Sequence, residues 1–176
     1  MSQLTRKAIM KCTLELAEKK SLKKITIKDI ADECGITRST FYYHFSDIYD
    51  VLDGVVQAKI DEFNEEYNGE MDKVLMRFIE YSIIHRKVWA NLFDEWLEKY
   101  VKTRIHYLAL LQIRKMSEGY ILSIKDVEII CSFYEEAIFG LLIRWIIKEE
   151  KAKTVDEIKD TVERIEKLFE GQLDLI

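Results

Sequence analysis

Hydrogen-bonding side chains crowd one short stretch of the sequence, residues 25–45, ITIKDIADECGITRSTFYYHF. Within it Thr37, Arg38, Ser39, Thr40, Tyr42, Tyr43 and His44 each offer a donor or an acceptor. A helix that needed only solubility would more often show Glu and Lys there. Arginine pairs bidentately with the O6 and N7 edge of guanine, and hydroxyls reach bases or phosphates. The chemistry on offer is recognition of nucleic acid. The plainer alternative is that Tyr42 and His44 simply pack against the first helix. Bond-making chemistry finds little support. The three histidines, His44, His85 and His106, form no HxxxH or HExxH array, and there is no glycine-rich phosphate loop or evident nucleophile–base pair. We therefore expect no catalytic residue, no metal and no cofactor. His85-Arg86-Lys87 reads as a helix end meeting its own dipole.

The elements that must position these side chains are readable from local signals. Thr26 and Asp29 have the spacing of a capping box at the start of a short helix over Ile27–Cys34. Gly35 stands where a left-handed residue ends a helix, and Thr37 can cap the next one, about residues 38–43. Ile30, Ala31, Ile36, Phe41 and Phe45 can pack the corner between them, which is the arrangement of a helix-turn-helix. Before it, a first helix over residues 3–19 carries Leu4, Ala8, Cys12 and Leu16 every fourth residue with Ile9 beside them, and residues 21–24 form a basic connection. After it, Asp47 and Asp50 open a long helix with Val51, Leu52, Val55, Val56, Ile60, Phe63 and Tyr67 on one side. The spacing predicts that this helix joins head to body with no flexible linker.

Further along, Asn68-Gly69 marks a turn, and Met71, Val74, Leu75, Phe78, Ile79 and Ile83 a fifth helix. Residues 86–115 read as helical with one break. Ser123 with Asp126, and Thr154 with Glu157, open the last two helices. Ser132 with Glu135 has the same spacing but falls inside an apolar helical pattern. The chain lacks proline and has six glycines, so few breakers interrupt these helices. The fold class is all-α: an N-terminal three-helix head, residues 1–50, joined by a long fourth helix to a helical body, residues 51–176.

A net charge of −5 argues at first against a nucleic-acid partner. Its distribution does not. Residues 1–28 hold Arg6, Lys7, Lys11, Lys19, Lys20, Lys23, Lys24 and Lys28 against Glu15 and Glu18, a local charge of +6 on an otherwise acidic chain. A solvated lysine face would look the same by charge alone. Cys12, Cys34 and Cys131 lie far apart, without CxxC spacing. We read them as reduced, buried packing residues of a cytoplasmic protein, with a redox sensor as the alternative. The first residues lack the long apolar run of a signal peptide. The apolar stretch 137–147 is short and broken by Arg144, so no membrane partner is expected.

With these residues in place the chain resembles the tetracycline-repressor (TetR/AcrR) family of transcriptional regulators. The matching pattern is Thr26, Ile30-Ala31, Gly35-Ile36, Thr37-Arg38-Ser39-Thr40, Phe41 and Tyr42-Tyr43-His44-Phe45, about 25 residues from the start and followed by a long helix. The motif covers about a quarter of the chain. The resemblance implies that Arg38 and Ser39 read bases with Thr37 beside them, and that Thr40, Tyr42 and His44 hold phosphates. It also implies that Lys28 touches the DNA and that Tyr43 meets a thymine methyl or a phosphate. One position departs from the family: Ile48 stands where a lysine is usual, which puts one backbone contact in doubt. Lys23 or Lys24 is a conceivable substitute.

For the body, the resemblance implies a homodimer closed by the last two helices, through Ile138, Leu141, Leu142, Trp145, Ile158, Val162, Ile165 and Phe169. The near-heptad spacing over Val155–Phe169 is consistent with that, and Gly140 would let two helices approach closely. A symmetric dimer would read a palindromic DNA operator. The resemblance also implies an unknown small-molecule inducer, and Trp89, Phe93, Trp96, Tyr100, His106 and Tyr107 are candidates to line its pocket. The alternative is that these aromatics, with Tyr120, fill the core. The functional expectation is a ligand-responsive regulator, in its repressor form, binding through helix 38–43. The rival is a fold-related co-regulator acting mainly through another protein, which Ile48 keeps in view.

Overall fold

The computed structural model describes residues 2–69, 71–116, 123–148 and 154–169, and these are helical throughout apart from turns and short connections. The helices are α1 (Ser2–Lys19), α2 (Ile27–Cys34), α3 (Arg38–His44), α4 (Ile48–Glu66), α5 (Met71–Ile84), α6 (Arg86–Leu92), α7 (Glu95–Met116), α8 (Ile124–Ile143) and α9 (Val155–Phe169). A 3₁₀ turn, Leu22–Lys24, follows α1, and a π turn, Arg144–Lys148, continues α8. Among the described residues no helix is long and apolar enough to cross a membrane.

The local signals act as their chemistry requires. The Thr26 hydroxyl accepts from the Asp29 amide at 3.2 Å, while the Asp29 carboxylate accepts from the Thr26 amide at 2.8 Å and from its hydroxyl at 2.7 Å. Gly35 has φ +64° and closes α2, donating to Asp32 while Ile36 donates to Ala31. That pair of bonds satisfies carbonyls the helix end leaves free, and the left-handed backbone disfavours any residue with a Cβ. Asp47 caps α4 through the Asp50 amide, and Ser123 and Thr154 cap α8 and α9 through Asp126 and Glu157. Asn68 and Gly69 both adopt positive φ at the α4–α5 turn. The break within residues 86–115 falls between α6 and α7, where Asp94 accepts from the Leu97 amide.

Packing corrects the sequence reading in three places. The buried stripe of α1 is Ile9, Thr13, Leu16 and Ala17, displaced by one residue from the expected row. Leu4 is 75% exposed, Ala8 is exposed and Cys12 is half-buried. Thr13 is tolerated inside because its hydroxyl donates to the Ile9 carbonyl at 2.9 Å. Second, Cys12 and Cys34 are not separate thiols. The packing of α1 on α2 brings their Cα atoms to 5.9 Å and they pair as a disulfide, while Cys131 is free and buried. Third, Trp145 and Ile158 are not left open for a second copy: they are buried in a small core with Ile79 of the same chain, against which Ile83, Leu141 and Leu142 pack half-buried. The side chains of Leu75, Val155, Val162 and Phe169, and Tyr120 as a whole, lie outside the described residues.

The main core runs without interruption from the head into the body. Ile9, Leu16, Ile30, Phe41 and Phe45 belong to one cluster with Val51, Leu52, Val56, Val88, Trp89, Leu92 and Leu97. A second hairpin-like unit packs α8 on α7 through Ala109, Leu110, Val127, Ile130, Cys131 and Tyr134.

The α2 cap carries a pH signature. The Thr26 hydroxyl, then Lys20 at 3.0 Å, hold the Asp29 carboxyl down to about 2 from its ordinary 3.8. A depressed folded-state pKa gives stability that is present above the unfolded value and lost as pH falls through the folded one. Thermal melts of Asp29→Asn should therefore lose part of the decline that the wild-type protein shows between pH 4 and pH 2. Parallel declines in the two proteins would reject the cap as its source.

Candidate nucleic-acid interface

The site is built from α3 outward. Thr37 lies just before the helix in extended conformation, and its hydroxyl accepts from the Thr40 amide at 3.1 Å. The Thr40 hydroxyl lies 2.9 Å from that of Thr37, so these two side chains are committed first to starting the helix. Phe41, fully buried, pins α3 to the core, and Phe45 anchors its end. With Phe41 facing inward, the helical repeat sends Ser39 and Tyr43 to the opposite side and leaves Arg38 and Tyr42 on the flanks. All four are exposed, Tyr42 at 57% and Tyr43 at 78%. Lys28 on α2 is exposed as well. His44 is half-buried with its ring edge-on to Tyr43 at 5.0 Å, and Tyr42 sets its ring edge-on to Phe41 at 5.6 Å.

The basic surface of the head is partly spoken for. Lys11 is held by Glu15, Lys19 by Glu33 and Lys20 by Asp29. Lys23, Lys24, Lys28 and Arg38 remain exposed on the helix-turn-helix and the turn before it. Ile48, the first residue of α4, is half-buried against the main core. Its side chain therefore has a packing role that a lysine would fill only with its aliphatic stem.

Gly54 was not singled out by the sequence pattern. It sits buried on α4 where a Cβ would lie 3.0 Å from Arg6 Nη2, 3.1 Å from Met10 Sδ and 3.3 Å from Phe45 Cε1. The Arg6 guanidinium in turn lies over the Phe45 ring at 4.5 Å. The missed signal was a glycine set among Val51, Leu52, Val55 and Val56, where helix propensity alone would disfavour it. This close approach joins α1, the end of α3 and α4 into one body.

Among the described residues, the aromatics proposed for a ligand pocket are mostly engaged in packing. Trp89 is core, and Phe93, Trp96 and Tyr100 pack against that core. Trp96 stacks on Tyr100 at 5.0 Å and lies against Tyr49 at 5.1 Å. The Tyr49 hydroxyl donates to Asp94 at 3.1 Å, an acceptor that holds the phenol above its ordinary pKa. His106 is taken up by Glu135 at 2.9 Å across α7 and α8, and Tyr107 is 58% exposed. A cleft of ≈ 230 Å³ between α1, α5 and α6 is lined by Lys11, Glu15, Tyr81, His85 and Trp89, among others. It is smaller than the roughly 300–1,000 Å³ of sites that enclose small molecules.

Residues 9–55, from α1 into α4, match the family "Bacterial regulatory proteins, tetR family". Among curated proteins none matches the sequence. Solved structures that share the fold include two of equal similarity. One is the dihydroxyacetone kinase operon activator DhaS, with a TM-score of 0.64 and 19% identity over 92% of this chain and 93% of that one. The other is a TetR transcriptional regulator from Streptococcus agalactiae 2603V, also at 0.64 and 19%, over 93% and 94%.

The tight contact at Gly54 yields a direct test. Gly54→Leu should overpack the α1–α4 contact and lower the free energy of urea unfolding by about 1–3 kcal/mol. A variant as stable as the parent would show that α1 and α4 do not approach this closely.

Proposed function

We propose that this chain, whose residues 9–55 match the tetR family of bacterial regulatory proteins, is a transcriptional regulator that binds a palindromic operator as a homodimer, laying α3 in the major groove. In its simplest form it represses the gene it covers until a small-molecule inducer loosens the complex. Residues 1–50 are the DNA-binding domain and residues 51–176 the regulatory and dimerising domain. One observation carries the reading: α3 is capped by Thr37 and pinned by Phe41, and it turns Arg38, Ser39, Tyr42 and Tyr43 to solvent. Arg38 and Ser39 are assigned to bases. Lys28, Thr40, Tyr42 and His44 are assigned to the backbone, with Thr37 and Tyr43 beside them.

The homodimer reading is supported by an apolar stripe on the outer side of α8. Ile129, Phe133, Ala137 and Gly140 follow at helical spacing and are all exposed, Ile129 and Phe133 by more than half. Pairing this stripe with its copy would cover it, and Gly140 would then admit the facing helix. Of the residues first assigned to the interface, Ile138, Leu141, Leu142 and Ile165 are half-buried and could flank it. The two α3 helices would read half-sites about 34–36 Å apart.

Inducer action is supported by the route from body to head. Tyr49 is on α4, close to α3, and is tied to Asp94 and Trp96. An inducer that parted the packing of Phe93, Trp96 and Tyr100 would move α4 and with it the head, lowering operator affinity by a population shift. Repression itself is tested by a promoter fusion: deleting the gene raises expression if the chain represses and lowers it if the chain activates.

Binding-site selection from a random duplex library tests the contacts. Arg38→Ala should relax the preferred base at one position of each half-site, whereas Tyr42→Phe should weaken binding to all sequences alike. Unchanged preference with Arg38→Ala would remove Arg38 as a base reader. For the dimer, Phe133→Glu should shift the protein to monomer in sedimentation velocity, and an unaltered dimer would move the interface elsewhere.

A further inference from the structure

We infer that Cys12 and Cys34 are a reversible redox modification site in the head, closed to a disulfide by hydrogen peroxide and reopened by a dithiol reductant. Their Cα separation of 5.9 Å falls within the range that disulfides favour, held there by the packing of α1 on α2. Both residues are half-buried, within reach of a small oxidant. Cys34 Sγ also lies 3.6 Å from the Ala8 carbonyl, an acceptor that a reduced thiol at this position could use. Cys131 differs on each count: it is fully buried against α7, and that burial pushes its thiol above the ordinary pKa.

The chemistry balances with peroxide as oxidant. One thiolate attacks a peroxide oxygen, giving a sulfenic acid and, with a proton, one water. The second thiol attacks the sulfenic sulfur, the S–S bond forms and a second water leaves. The two thiols give up two electrons and two protons in all, and the peroxide is reduced. Reopening runs through a mixed disulfide and converts the dithiol to its own disulfide.

The position gives the modification a consequence. Cys34 is the last residue of α2, one before Gly35, so the bond ties α1 to the base of the turn that aims α3. Cross-linking residues 22 apart restricts the unfolded head and should raise its resistance to heat. This reading rests on the proposed DNA-binding role in one respect. A regulator working on DNA in a reducing compartment would hold such a bond only transiently, as a signal.

The full-length protein, reduced and then treated with hydrogen peroxide, is digested with trypsin without reduction. Mass spectrometry should find the peptides spanning residues 12–19 and 29–38 joined within one chain. Cys131→Ser should keep the link, and Cys12→Ser or Cys34→Ser should lose it. Oxidised wild type should melt several degrees above the reduced protein, a shift absent in Cys12→Ser and reversed by dithiothreitol. Sulfinic acid without a cross-link, cross-links between chains, a link to Cys131, or a link that dithiothreitol leaves intact would each overturn the inference. Mass and melting do not depend on DNA, so a failure to bind DNA would count against the proposed function and leave this site standing.

Discussion

The structure depends on α1 being buried on more than one side. Its stripe of Ile9, Thr13, Leu16 and Ala17 is shared among α2, α3, α4 and α6. Ala17 is small enough for close approach, and its carbonyl accepts from Asn91 of α6 at 2.7 Å. The same helix lays Arg6 and Met10 against the Gly54 notch of α4. A single helix therefore sets where the helix-turn-helix stands relative to the body. Burial on this scale is the main favourable term in folding, and here it is spent on joining two functional parts and not only on closing one.

This explains which parts of the fold were legible in the sequence. Caps, turns and helix lengths in the head were readable because their partners lie within about four residues. Thr26 with Asp29, Gly35 with Ala31 and Asp32, and Thr37 with Thr40 carry their geometry locally. The face of α1 was not readable by counting apolar residues, because the helix buries Thr13 and exposes Leu4. A threonine that satisfies its own hydroxyl on the preceding turn is as good as an apolar residue inside a helix bundle.

The body was less legible for a related reason. Stripes on α8 and α9 show which residues avoid water but not what covers them. Trp145 and Ile158 meet Ile79 of their own chain, while Ile129 and Phe133, a turn apart on α8, stay more than half exposed. The aromatic run from Trp89 to Tyr100 likewise reads the same whether it lines a cavity or fills a core. Only the tertiary contacts of Tyr49 with Trp96, and of Trp96 with Tyr100, distinguish the two. The pairing of Cys12 with Cys34 and of His106 with Glu135 needed the same long-range information.

The candidate interface lies between these extremes. Its residues were identifiable by type and spacing, and the fold adds a division of labour among them. Thr37 and Thr40 are engaged in starting α3, and His44 is partly covered, so Arg38, Ser39, Tyr42 and Tyr43 are the side chains free to meet a partner. A contact made by a free side chain costs ordering entropy when it forms, whereas α3 itself is already held by its cap and by Phe41. The geometry thus pre-orders the helix backbone and leaves its outward side chains to adapt. That arrangement suits a surface whose position must be fixed by the protein and whose detailed fit must be set by the sequence it reads.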